Sequence, residues 1–214
     1  MKKIIGIILV LAALFAVTSC GGKKPDPTPA PAPAPAEVIK DIIANSSPTK
    51  IVSIVNYVGD ETLTSVFTTE IDNANNKQRL TYDIYKYGDL AAGDPNRIMH
   101  YPGEIYYVDG AVKSWTDDSW QTAIDLNPAF ALDATRSLFT EYVVSEDGTT
   151  FNGKVSGENI AKVLGVAVSA NEVAIEIMTN GTYIYSLQVS YVTSTGATVV
   201  ISTSYTYNTI TLDF

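Results

Sequence analysis

An α+β domain built on one wide antiparallel β-sheet is the fold this 214-residue chain predicts. Long stretches after residue 50 alternate apolar and polar side chains and are rich in Thr, Val, Ile and Tyr, the pattern of half-buried antiparallel strands. Gly-containing turn pairs, above all Asp109-Gly110 and Asn180-Gly181, fall between these stretches, where type I′ hairpin turns need positive φ. Helical spacing is confined to a few short segments. Counting the alternating runs gives about ten strands, a width at which an open sheet tends to curl, with the helices available for its concave face.

The chain opens with MKKIIGIILVLAALFAVTSC, a basic start (Lys2, Lys3), an apolar run and small residues before Cys20, the only cysteine. That is the layout of an export signal, with a run too short for a confident membrane-spanning helix. Val17-Thr18-Ser19-Cys20 resembles the lipobox of bacterial lipoproteins, which implies a signal peptide over residues 1–19 and lipidation of Cys20. Two or more acyl chains hold a protein stably on a membrane, so the expected location is the cell membrane or outer membrane, lipid-anchored and facing the extracytoplasmic side. Residues 20–36 then form a linker in which Pro25, Pro27, Pro29, Pro31, Pro33 and Pro35 alternate with other residues. Proline fixes φ and lacks an amide hydrogen, so this stretch is an extended stalk reaching on the order of 37 Å.

Residues 37–214 make one domain, large enough to bury a core. Glu37 to Asn45 places Val38, Ile39, Ile42 and Ile43 at helical spacing, with Pro48 as the stop. Leu63, Phe67 and Ile71 oppose Thr62, Thr64, Thr68 and Glu70. Leu80, Tyr82 and Ile84 oppose Arg79, Thr81 and Asp83. Val173, Ile175 and Ile177 oppose Glu172 and Glu176, and Tyr183, Tyr185, Leu187, Val189 and Tyr191 oppose Ser186, Gln188 and Ser190. Val199, Ile201 and Tyr205 continue the pattern, and Ile210, Leu212 and Phe214 extend it to the last residue. Gly59-Asp60 and Thr195-Gly196 are further expected turns, so strands adjacent in sequence should be neighbours in a meander. Between the strand-rich halves, a helix is expected from Pro128 to Phe139, with Phe130, Leu132, Leu138 and Phe139 on one face, and another over Glu158 to Leu164 before Gly165.

The order GEIYYVDGAVKSW (Gly103 to Trp115), DLNP (Asp125 to Pro128), a helix, TTFNGKVSG (Thr149 to Gly157) and a closing run of strands resembles the LolA-like superfamily of periplasmic and cell-surface lipid or lipoprotein carriers, which includes mycobacterial lipid-carrying lipoproteins. The resemblance spans roughly residues 37 to 214 by layout. It implies an unclosed β-barrel with helices on its concave side and acyl chains in the apolar space between. The arginine that lipoprotein carriers use has no matching context at Arg79, Arg97 or Arg136.

Charge and composition exclude several function classes. A net charge of −9 argues against nucleic acid, whose affinity comes from Lys and Arg on phosphates. With Cys20 lipidated no thiol remains for a disulfide, a Cys metal site or a nucleophile. His100, beside an expected turn at Pro102, is the only histidine. Ser47-Pro48-Thr49-Lys50 has Ser-x-x-Lys spacing but is interrupted by proline at a helix end. Asp117-Asp118 and the DNANN stretch from Asp72 to Asn76 offer oxygen ligands without the spacing of a calcium loop, and a turn accounts for the latter. No enzyme, cofactor or metal is therefore expected.

The expected function is binding of a hydrophobic ligand, a lipid acyl chain or lipoprotein, in the concave cavity. The expected lining is Leu63, Phe67, Tyr82, Ile84, Tyr107, Trp115, Trp120, Phe130, Leu138, Tyr185 and Leu187, with Tyr106 near the mouth. The alternative is a non-catalytic structural or protein-interaction module with a filled core and another envelope protein as partner.

Overall fold

The structure, a computed structural model, describes residues 35–59, 62–91, 93–116 and 132–214. The signal segment, Cys20, most of the linker, Asp60, Asp117-Asp118, Trp120 and Phe130 lie outside the described residues.

Helix α1 (Pro35–Asn45) leads into five strands, β1 (Lys50–Val58), β2 (Thr62–Asp72), β3 (Lys77–Tyr87), β4 (Ile98–Val108) and β5 (Ala111–Trp115). A single 3-10 turn at Arg136–Leu138 precedes β6 (Glu141–Val144) and β7 (Thr150–Ser156). Helix α2 (Asn159–Leu164) is followed by β8 (Ala170–Thr179), β9 (Ile184–Thr193) and β10 (Thr198–Thr206). All ten strands form one antiparallel sheet in the order β5-β4-β3-β2-β1-β10-β9-β8-β7-β6. It is an open, curved half-barrel: β5 and β6 are the two edges and do not pair with each other. The topology is two five-stranded meanders joined along β1 and β10, which pair over their full length from Lys50↔Thr206 to Val58↔Thr198. The chain passes from one edge of the sheet to the other between Trp115 and Glu141.

Local chemistry explains most of the connections. Asp109 and Gly110 both take positive φ, 53° and 77°, so the β4–β5 hairpin turns as a type I′ pair must. Gly165 caps α2 at φ 71°, its amide donating to the Ala161 carbonyl. The Asp72–Asn76 stretch is a turn between β2 and β3, with Asn76 at φ 50°.

Four expectations are corrected. No α-helix occupies residues 132–139: Asp133 Oδ1 accepts the Thr135 amide at 2.9 Å, the Asp133 amide donates to the Val163 carbonyl, and only a 3-10 turn remains. Local side-chain bonds of this kind compete with helix. Asn180-Gly181 is not a type I′ turn, since Gly181 alone has positive φ. Instead Asn180 Oδ1 accepts the amides of Thr182 and Tyr183, and β9 starts only at Ile184. Pro102 is no turn but a mid-strand residue opposite Asp83. It is tolerated because β5 pairs with β4 only from Ile105 to Val108, leaving Pro102 on an edge where its missing amide breaks no ladder bond. Residues 207–214 continue no strand, because the β1 ladder ends at Lys50↔Thr206 and the β9 ladder at Ser186↔Ser204, leaving no ladder partner beyond them among the described residues. The tail crosses the end of the sheet instead: Asp72 Oδ2 accepts the Leu212 amide at 3.1 Å and Lys77 Nζ donates to the Leu212 carbonyl at 3.0 Å.

Candidate functional site

Alternation along each strand sends one set of side chains to the inner, helix-bearing face of the sheet. One cross-strand row on that face shows how it is built. Tyr82 of β3 pairs with Phe67 of β2, Phe67 with Ser53 of β1, and Ser53 with Thr203 of β10. Thr203 pairs with Leu187 of β9, Leu187 with Ile177 of β8, and Ile177 with Phe151 of β7. The row is apolar at both ends and hydroxylic in the middle.

The two ends belong to two separate clusters. One gathers Phe151, Val155, Val173, Ile175, Ile177, Leu187, Val189 and Ile201 from β7–β10 and packs them against Ile39 and Ile42 of α1, Ile160, Val163 and Leu164 of α2, and Phe139. Its interior is tight: Phe139, Tyr142 and Phe151 meet edge to face with centroids 4.6–5.3 Å apart. A Cβ on Gly153 would stand 2.6 Å from Phe151 and 2.7 Å from Phe139, which is why the position holds glycine. The other cluster is Phe67, Leu80, Tyr82, Ile84 and Ile105, with Val55, Tyr101 and Tyr107 packed against it. Among the described residues its members all come from strands β1–β4.

The residues the sequence singled out divide between these regions. Phe67, Tyr82 and Ile84 are buried in the strand-built cluster, and Tyr107 packs at its margin, where burial raises its phenol pKa. Leu63 is buried opposite Tyr57. Trp115, 46 % exposed, pairs with the fully buried Ile105 at the sheet edge. Leu138 and Leu187 belong to the helix-covered cluster. Tyr185 is corrected: it points to the outer face at 45 % exposure. The β8–β9 ladder jumps from Thr179↔Ile184 to Met178↔Ser186, so Tyr185 has no partner and the alternation slips by one residue. Trp120 and Phe130 lie outside the described residues.

Sequence reasoning left Leu80 and Ile105 out of the lining, although Leu80 shares the parity of Tyr82 and Ile105 that of Tyr107. It also left out Ser53 and Thr203. They sit at apolar positions of the alternation, between Ile51 and Val55 and between Ile201 and Tyr205, and that misfit was the available signal.

The groups considered for chemistry are engaged elsewhere. Lys50 Nζ lies 3.3 Å from Glu70 Oε1 on the outer face, and Ser47 is exposed. Arg79 also binds Glu70 through Nε at 2.9 Å, and this bond holds the Glu70 carboxyl below its ordinary pKa. His100 bonds Asp83 across the strands and stacks on Tyr85 at 4.3 Å. The Asp72 carboxylate accepts from Asn75 and Leu212, which lowers its pKa and makes it a latch for the tail. Among the described residues no group of three His, Cys, Asp or Glu is placed to hold a metal.

Among solved structures, the chain is similar to a LolA superfamily protein from Nitrosomonas europaea, at 6 % identity over 84 % of this chain and 96 % of that one, with a TM-score of 0.31. It is also similar to an inactive mutant of CurK dehydratase, at 10 % identity over 82 % of each chain and a TM-score of 0.23. Neither likeness is close enough to bear on fold or function. No protein-family model matches the chain, and no curated protein does.

Proposed function

We propose that this chain is a lipid-anchored extracytoplasmic binding protein that takes a hydrophobic ligand, a lipid acyl chain or an acylated protein, against the inner face of its half-barrel. The observation that supports the reading is a second apolar cluster on the inner face of β2–β4, distinct from the helix-covered one: Phe67, Leu80, Tyr82, Ile84 and Ile105, each no more than 4 % exposed. Tyr101, Tyr107 and Trp115 border it, rings with an apolar body and a polar tip suited to the mouth of such a site. The anchor rests on the lipobox-like segment ending in Cys20, and the acidic chain, at −9, disfavours nucleic acid as partner. Attachment through the lipid and the proline stalk suits a membrane-side acceptor or sensor better than a free shuttle.

Native mass spectrometry of the gently purified, then delipidated, protein tests the binding. The expected result is a co-purifying lipid that is lost on delipidation and regained on incubation with membrane extract. A protein that carries none and takes none up overturns it. Labelling with an alkyne fatty acid tests the anchor: incorporation is expected in the full chain and lost in Cys20→Ala.

A second reading, a non-catalytic structural or protein-interaction module of the envelope, is favoured by the close aromatic packing around Phe151. It predicts the same anchor and no lipid uptake.

A further inference from the structure

The middle of the inner face holds the one feature that an oily surface does not explain. Ser53 and Thr203 face each other across the β1–β10 seam, each 4 % exposed, with Oγ and Oγ1 3.0 Å apart. Two hydroxyls carry two O–H donors, and their mutual bond uses one. Among the described residues neither hydroxyl has another hydrogen-bond partner, so one buried donor is left without an acceptor. Buried donors are almost always satisfied, so this one calls for an explanation. Tyr205, two residues along the same face of β10, adds a half-buried hydroxyl that likewise has no hydrogen-bond partner among the described residues. The cross-strand neighbours of the pair are Phe67 on one side and Leu187 on the other, and the row contains no cation.

We infer that the Ser53–Thr203 pair is the polar end of the ligand site and recognises an uncharged carbonyl oxygen, that of a fatty-acyl ester or amide. The inference rests on the hydrophobic-ligand reading above. The free O–H donates to the carbonyl, and the acyl chain runs from the seam along Phe67 and Tyr82 toward Ile105, displacing the cover that leaves these residues no more than 4 % exposed. That path crosses three to four strand spacings, on the order of 15–19 Å. A carboxylate is disfavoured, since no positive charge stands beside the hydroxyls to offset its desolvation.

The test compares two probes of similar length, methyl palmitate and heptadecane, in displacing a bound hydrophobic fluorophore from the full chain. Methyl palmitate should compete roughly tenfold better, the size of one net hydrogen bond. The double substitution Ser53→Ala with Thr203→Val removes both hydroxyls, since either one alone leaves the other free to donate, and it should bring the two probes to within about twofold while leaving heptadecane unchanged. Thr203→Ser, which keeps the hydroxyl, should retain the preference. Ser53→Ala with Thr203→Ala serves the same purpose if the first double variant does not fold, and a merely structural pair would alter stability without altering the ratio of the probes. If both probes compete and the ratio ignores these substitutions, the seam assignment is overturned while the hydrophobic-ligand reading stands. If neither probe competes, both fall.

Discussion

The two wings of the sheet have the same strand count and the same antiparallel ladders, yet they bury their apolar faces by different means. In the β6–β10 wing the apolar side chains of the strands lean on α1, α2 and the turn around Phe139. The ring packing leaves no room even for the Cβ of an alanine at Gly153. In the β1–β5 wing the described apolar contacts run from strand to strand, and the C-terminal tail closes one end by way of Asp72, Lys77 and Tyr106. A helix docked by many large side chains is an interlocked solid, and the ligand reading requires the other wing to be the one that yields.

The largest expected effect tests that contrast directly. Phe151 is fully buried and surrounded by Phe139 and Tyr142, so Phe151→Ala should cost about 3–5 kcal/mol by the combined transfer and cavity terms. Phe67→Ala, at 2 % exposure in the other wing, should on the ligand reading cost less, toward the lower end of that range. Urea denaturation of both variants is the measurement. Equal losses would mean the wings are equally solid and would remove the basis for placing a ligand in one of them.

Adding rather than removing a methyl probes the same packing from the other side. Gly153→Ala puts a Cβ within 2.8 Å of three ring atoms, and the neighbouring backbone is held by β6 and β8. The expected loss is about 1–3 kcal/mol, the usual range for overpacking, read as a lowered thermal midpoint. An unchanged midpoint would show that Phe139 and Phe151 can step aside.

The tail is a third point of difference, and its latch is titratable. Asn75 and the Leu212 amide both donate to the Asp72 carboxylate and hold its pKa below 3.8. A group whose folded pKa is depressed contributes stability above its unfolded pKa and loses it as pH falls. Protection of the Leu212 amide against hydrogen exchange should therefore be full above about pH 4 and fade below it. Asp72→Asn, which keeps an acceptor but cannot ionise, should flatten that dependence. Asp147 provides an internal comparison in the β6–β7 turn: Ser145 and Thr149 lower its pKa to about 2, so its contribution fades over a lower range.

How far the sequence foretold this arrangement follows from what each signal depends on. The strands were legible because alternation is local: Leu80, Tyr82 and Ile84 could only face one way if the segment was a strand at all. Asp109-Gly110 was legible because few dipeptides accept two positive φ values. Tyr185 was not, because a bulge inserts one unpaired residue without marking it in the composition. Over residues 132–139 the expected helix gives way for a tertiary reason, the bond from the Asp133 amide to the Val163 carbonyl, which no window around residue 133 contains. The joining of the meanders through β1 and β10 brings Ser53 beside Thr203 from 150 positions away. A serine in an apolar row was visible in the sequence; its partner was not.

The smallest expected effect concerns the outer face, where the wings differ least. Glu70 bridges Lys50 and Arg79 in the strand-built wing, its side chain only 16 % exposed, while Glu141 pairs with Lys154 at 2.8 Å in the other wing with both side chains well exposed. Exposed pairs contribute about 0–1 kcal/mol and weaken with salt. Arg79→Ala should fall near the upper end of that range, since it also withdraws a hydrogen bond from a partly buried carboxylate, and Lys154→Ala near the lower end. Urea midpoints at low and high salt measure both. Equal and salt-independent losses would mean that the outer-face charges act through side-chain packing of their aliphatic stems rather than through the ion pairs.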